Sequence, residues 1–151
     1  MYLKKGDKAP NFKLLNHNNV LVSLSNFKNQ KLLLWFFPKA NTPGWTVQGC
    51  GFRDEFQNFK NKNITILGIS ADSPEKQKKF VEKFDFPFIM LSDESKDMIK
   101  NYKAWGLKKF MGREYEGIHR ISYLIKDGCI KHVFDKVKTK THAIDVLNET
   151  E

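Results

Sequence analysis

Apolar positions along the chain fall into short runs separated by polar, turn-forming stretches. Phe12–Leu15 (FKLL) and Val20–Leu24 (VLVSL) flank a short polar connection through His17-Asn18-Asn19, the pattern of a hairpin. Lys31–Pro38 (KLLLWFFP) does not alternate, as expected of a central strand covered on both faces. After Thr42-Pro43, Val47, Phe52, Phe56 and Phe59 recur at roughly helical spacing. Ile64–Ile69 (ITILGI) predicts a second buried strand. Ser73-Pro74-Glu75 then opens a helix through KKFVEKF. Pro87–Leu91 (PFIML) predicts another strand, and SDESKDMIKNYKAW is a polar entrance to a helix carrying Met98, Ile99 and Tyr102. Gly106 to Gly117 reads as a polar, glycine-bounded loop. Asp127-Gly128 marks a hairpin between two strands, and Thr141–Leu147 predicts a last helix with Ala143, Ile144 and Leu147 as its apolar face. Strands alternating with helices, and a hairpin before the last helix, predict a mixed central sheet with helices on both faces. No repeat, linker or low-complexity stretch divides residues 1–151, so one α/β domain is expected.

Composition narrows the class. A chain of 151 residues buries roughly two-thirds of its unfolded surface, and 40% hydrophobic with 28% charged residues is a globular balance. The run Leu32–Pro38 is far below the ~20 residues of a membrane span. The N-terminus lacks an export pattern, and two cysteines, Cys50 and Cys129, are too few for a secreted scaffold, so the cytoplasm is expected. The net charge is +9, but only three of the 26 basic residues are arginine: Arg53, Arg113 and Arg120. With no recognition motif and few arginine forks, a solvated lysine surface is the better reading, without specific nucleic-acid binding.

The chemistry concentrates at KANTPGWTVQGC (Lys39–Cys50). Thr42 suits an N-cap, Pro43 the first helical position, and Gly44 the close approach of another group. The amides and positive dipole end of such a helix stabilise a thiolate or an oxyanion; the plainer reading is a well-capped helix. Arg120, in a mostly buried strand, calls for an exit at the strand end or an anionic partner, either an oxyanion site or a salt bridge. Arg53 and Asp54 are surface charge or supports of the same pocket. Cys50 lies five residues after Trp45. Cysteines at both positions would sit roughly 8 Å apart along a helix, too far for a disulfide unless the helix opened. Gly49 and Gly51 suit such mobility. Cys50 as a small buried filler is the plainer alternative, and Cys129 reads that way. The histidines show no metal-ligand spacing, and neither a Gly-x-Gly-x-x-Gly loop nor a Walker motif is present, so neither metal nor cofactor is expected. Asp93 and Asp97 read as capping and surface charge.

Taken together, GDKAPNFKL, FFPKANTPGWTVQGCGFRDEF, LGISADSPEKQKKF, GREYEGIHRISYLI and DKVKTKTHAIDVL resemble the bacterioferritin-comigratory (PrxQ) branch of the peroxiredoxins across nearly the whole chain. The resemblance implies a thioredoxin-like fold and thioredoxin-dependent reduction of hydrogen peroxide and organic hydroperoxides in antioxidant defence. It also implies a monomer. In the family pattern Thr-Pro-x-Cys, the peroxidatic position falls on Trp45, the threonine on Thr42, the shielding prolines on Pro38 and Pro43, the pocket arginine on Arg120 and the resolving cysteine on Cys50. Tryptophan supplies no thiolate, so the resemblance predicts an inactive framework. Three accounts of the indole follow. It is an engineered replacement, which the survival of Thr42, Arg120 and Cys50 favours; a naturally non-catalytic relative that binds clients through exposed Phe110 and Met111; or a slow one-cysteine peroxidase working through Cys50.

Overall fold

The computed structural model describes residues 2–28 and 30–149; the side chain of Phe110 lies outside the described part. The elements in chain order are β1 (Lys13–Asn16), β2 (Leu21–Ser23), a 3-10 turn (Leu24–Phe27), β3 (Lys31–Phe36), α1 (Pro43–Asp54), α2 (Phe56–Asn61) and β4 (Ile64–Ser70). They continue with α3 (Pro74–Phe84), β5 (Ile89–Ser92), α4 (Asp97–Asn101), β6 (Trp105–Phe110), β7 (Arg113–Ile118), β8 (Ile121–Lys126), β9 (Cys129–Phe134) and α5 (His142–Glu149). Seven strands form one mixed sheet in the order β2-β1-β5-β4-β3-β8-β9.

The unalternating run of β3 has the expected cause. It is central, parallel to β4 and antiparallel to β8. Successive side chains point to opposite faces. Leu32, Leu34 and Phe36 enter a core with Met98 and Ile99 of α4 and Tyr102 just after it; Leu33, Trp35 and Phe37 enter a second core with residues of α1, α2, α3 and α5. Both layers are apolar, so no polar position is tolerated between Leu32 and Phe37. This is a thioredoxin-like arrangement, a mixed sheet with helices on both faces.

Other expectations change in detail. The stretch between Gly106 and Gly117 is a two-stranded ribbon, with Gly106 opposite Gly117. Met111 and Gly112, at φ 52° and 78°, make the left-handed turn that joins its strands. Polarity and glycine suggest a loop, but both ribbon faces are largely open to solvent, so burial imposes no apolar alternation. The helical pattern from Val47 to Phe59 is broken at Glu55 into α1 and α2, and Val47 is exposed. In α5 the buried positions are His142, Ala143 and Val146, while Ile144 is half exposed. Asp93 is not surface charge. Its buried carboxylate accepts from the Ile99 amide at 2.8 Å and from Ser95 Oγ, which ties the loop after β5 to α4. Burial holds that carboxyl above its ordinary range. Among the described residues no helix is long and apolar enough to cross a membrane.

Candidate active site

The turn from β3 into α1 builds the site. Phe37 donates its amide to Ile69 O, and the Ala40 amide donates to Asp72 Oδ2 at 2.8 Å, an oxygen that also accepts from Ser70 Oγ. This fixes the chain from Pro38 to Ala40 over the carboxyl ends of β3 and β4. Thr42 has the extended backbone of an N-cap, and Pro43 occupies the first turn. The Thr42 hydroxyl, however, donates back to Lys39 O at 2.9 Å and makes no cap bond. The first i→i−4 bond runs from Thr46 N to Thr42 O, so the Gly44 and Trp45 amides have no helical acceptor.

Arg120 comes to this helix start from the residue before β8. Its Nη1 donates to Gln48 Oε1 at 2.6 Å, and a β-carbon on Gly44 would lie 2.8 Å from its Nη2. Gly44 and Gln48 are four apart and share a helix face, which seats the guanidinium against α1. The end-of-strand exit is therefore realised, and the partner is a neutral amide: among the described residues Arg120 has no ion pair. Burial shifts Arg120 downward from its ordinary value, and it remains a cation. Gln48 is fully buried, and its Nε2 has no partner among the described residues. Below Arg120, Ser122 Oγ and His142 Nε2 share a hydrogen bond of 2.8 Å between β8 and α5.

Sequence reasoning missed Gln48 and the Ser122–His142 pair. The signal for Gln48 is its i+4 spacing from Gly44; nothing local foretells the pair, which joins residues 20 apart in sequence.

Trp45 turns to a different side of α1. It is completely buried, with ring centroids 5.1 Å from Phe86, 5.7 Å from Phe84, 6.1 Å from Phe37 and 6.2 Å from Phe80. Cys50 is half-buried, borders the same aromatic cluster and is a free thiol. Gly49 is small because of packing: a β-carbon there would lie 2.5 Å from Phe86 Cζ and 3.2 Å from Trp35 Cη2. The expected mobility gives way to close contact, and α1 is a continuous helix through Cys50. Arg53 donates to Phe84 O and pairs with its neighbour Asp54, so it braces α1 rather than the Arg120 cradle. Among the described residues no cluster of metal-ligating side chains occurs.

Residues 5–133 match the family model described as the AhpC/TSA family. The chain belongs to the AhpC/TSA family. It is 49% identical over 147 residues to Peroxiredoxin Bcp of Escherichia coli K12, covering 97% of this chain and 94% of that one. Among solved structures, a cysteine-to-serine mutant of Xylella fastidiosa PrxQ superposes with a TM-score of 0.92 at 31% identity, over 99% of this chain and 96% of that one. The bacterioferritin comigratory protein of Xanthomonas campestris, described for alkyl peroxide reduction, gives a TM-score of 0.87 at 28% identity, over 92% and 89%.

These findings correct the expectation of an inactive framework. That expectation rested on Trp45 as the occupant of the attacking position; a cysteine, Cys50, is retained near that position on the same helix. The chain is close over nearly its whole length to a peroxiredoxin. With a thiol in place and Trp45 serving as core, an engineered inactivation is not needed to account for the indole. Of the two residues named for client binding, Met111 is 88% exposed, and the Phe110 side chain lies outside the described part.

Proposed function

We propose that this protein is a one-cysteine thiol peroxidase in which Cys50 is the redox thiol. The observation that carries the reading is a free, half-buried cysteine on the helix whose first turn holds Arg120, in a chain so similar to a peroxiredoxin. The Cys50 thiolate attacks the distal oxygen of a hydroperoxide; the O–O bond breaks, the thiolate becomes sulfenic acid, and an alcohol or water leaves with the proton. Reduction by an external dithiol, thioredoxin or a similar protein, returns the thiol and releases water. Hydrogen peroxide and organic hydroperoxides are the substrate class, in line with the alkyl peroxide activity described for the Xanthomonas relative. Arg120 and the free amides of the first turn supply positive charge at the start of the same helix, with Pro38, Pro43 and Gly44 around them; the Thr42 hydroxyl must first leave Lys39 O to take part.

Turnover is slow on this reading. Cys50 lies two turns into α1, where backbone N–H groups already serve i→i−4 bonds and cannot donate to sulfur. The cycle needs no second cysteine, so a cytoplasmic, single-domain monomer suffices. The test is thioredoxin-coupled peroxide consumption with sulfenic-acid trapping by dimedone. Cys50→Ser is expected to lose both signals while Cys129→Ser keeps them. Undiminished turnover in Cys50→Ser would sink the reading.

A further inference from the structure

Four lysines converge at the end of the sheet farthest from Arg120. Lys31 on β3 stands directly opposite Lys126 on β8. With Lys5, Lys131 and His132 they line a cavity of about 570 Å³ that also touches Leu124. Like charges directly opposite across a strand pair repel, so this register works against the sheet unless something negative lies between them. Among the described residues the carboxylates lining the cavity are Asp127 and Glu149, and none of the four lysines forms an ion pair. Among the described residues, four ammonium groups against two carboxylates leave a surplus of positive charge. The N-terminal segment that carries Lys5 is held in place: the Gly6 amide donates to Ile130 O, and the Ile130 amide donates to Asp7 O, each at 2.8 Å.

We propose that this cavity binds a small anion carrying two or more phosphate groups. Lysine offers a compact charge and three donors on a flexible stem, the chemistry that grips phosphate oxygens without requiring a fixed fork. Stems from three strands and the N-terminal segment surround a multiply charged anion, whereas a single phosphate engages only part of the set. The volume falls in the range of small-ligand pockets, roughly 300–1,000 Å³. The cavity is separate from the Arg120 cradle, because β8 runs from one to the other, a distance of roughly 20 Å at strand rise. Inorganic polyphosphates and nucleoside polyphosphates share the chemistry.

The test is calorimetric titration and thermal unfolding of the full chain with orthophosphate, pyrophosphate, tripolyphosphate and ADP, at low and physiological ionic strength. Affinity is expected to rise with phosphate number and to fall with salt. Lys126→Gln and Lys131→Gln, both exposed side chains, are each expected to weaken binding about tenfold without altering the circular dichroism spectrum. Equal affinity for ADP and pyrophosphate assigns recognition to the phosphates; tighter ADP binding adds the nucleoside. Absence of binding by every probe, or binding unchanged in both variants, would overturn the proposal.

Discussion

Arg120 lies so close to Gly44 that a β-carbon there would come within 2.8 Å of Nη2. Gly44→Ala therefore displaces the guanidinium and breaks its 2.6 Å bond to Gln48 Oε1. The obstruction is the far end of a flexible side chain, so the fold absorbs it for about 1.5–3 kcal/mol, the value of a lost hydrogen bond to a charged group. Peroxide turnover is expected to fall much further, roughly tenfold or more, since an electrostatic donor acts only from its correct position. Measuring turnover and urea midpoint on the same variant checks this; turnover unchanged beside a lowered midpoint would show Arg120 to be structural.

The two glycines flanking Cys50 are expected to respond in opposite directions. At Gly49 a methyl group meets Phe86 Cζ at 2.5 Å and Trp35 Cη2 at 3.2 Å, rings locked in the aromatic core. Overpacking of ~1–3 kcal/mol outweighs the helix-propensity gain of about 1 kcal/mol, so Gly49→Ala destabilises. At Gly51 the nearest atom is Ala143 Cβ at 3.7 Å, an ordinary contact, so Gly51→Ala is neutral or stabilising by up to ~1 kcal/mol. Denaturant midpoints separate this account from one in which both glycines serve mobility, because the latter gives both substitutions the same sign.

This pair also marks where sequence reasoning reaches its limit. The central strands are legible because burial on both faces removes polar residues from Leu32–Phe37, and the Asp127-Gly128 hairpin because its residues take φ 54° and 78°. That Gly44 and Arg120 lie together is what the family resemblance implies. What Gly49 faces is set by Phe86, from the loop after α3, and no local pattern carries that contact. Trp45 is the sharper case. Read within its motif, it is a replacement for chemistry; in the fold it is a wall against Phe80, Phe84 and Phe86, residues more than thirty positions away. The β6–β7 ribbon escapes for another reason: a solvated strand pair has no apolar face to betray its period.

The buried pair of Ser122 and His142 predicts a pH dependence of stability. Burial, with a smaller contribution from Arg120, lowers the His142 pKa from 6.5 to about 4 against an opposing pull from Asp145. The imidazole is therefore neutral in the fold, packed edge-on against Phe52 and Phe134. As pH falls, the unfolded chain takes up this proton near 6.5 and the folded chain only near 4. Between those values the unfolded state holds more protons, so stability is present above about 6.5 and is lost on acidification towards 4. The slope approaches ~1.4 kcal/mol per pH unit, and the total is bounded at roughly 3 kcal/mol. Carboxylates and the partly buried His17 titrate as well, so the wild-type curve alone does not isolate the effect. His142→Gln does: it removes the titrating ring and leaves a group able to bond Ser122 Oγ. Urea unfolding in small pH steps is expected to show wild type well ahead of the variant at neutral pH and the gap narrowing through the window. A constant gap would mean that His142 carries its charge in the fold or stays neutral in both states.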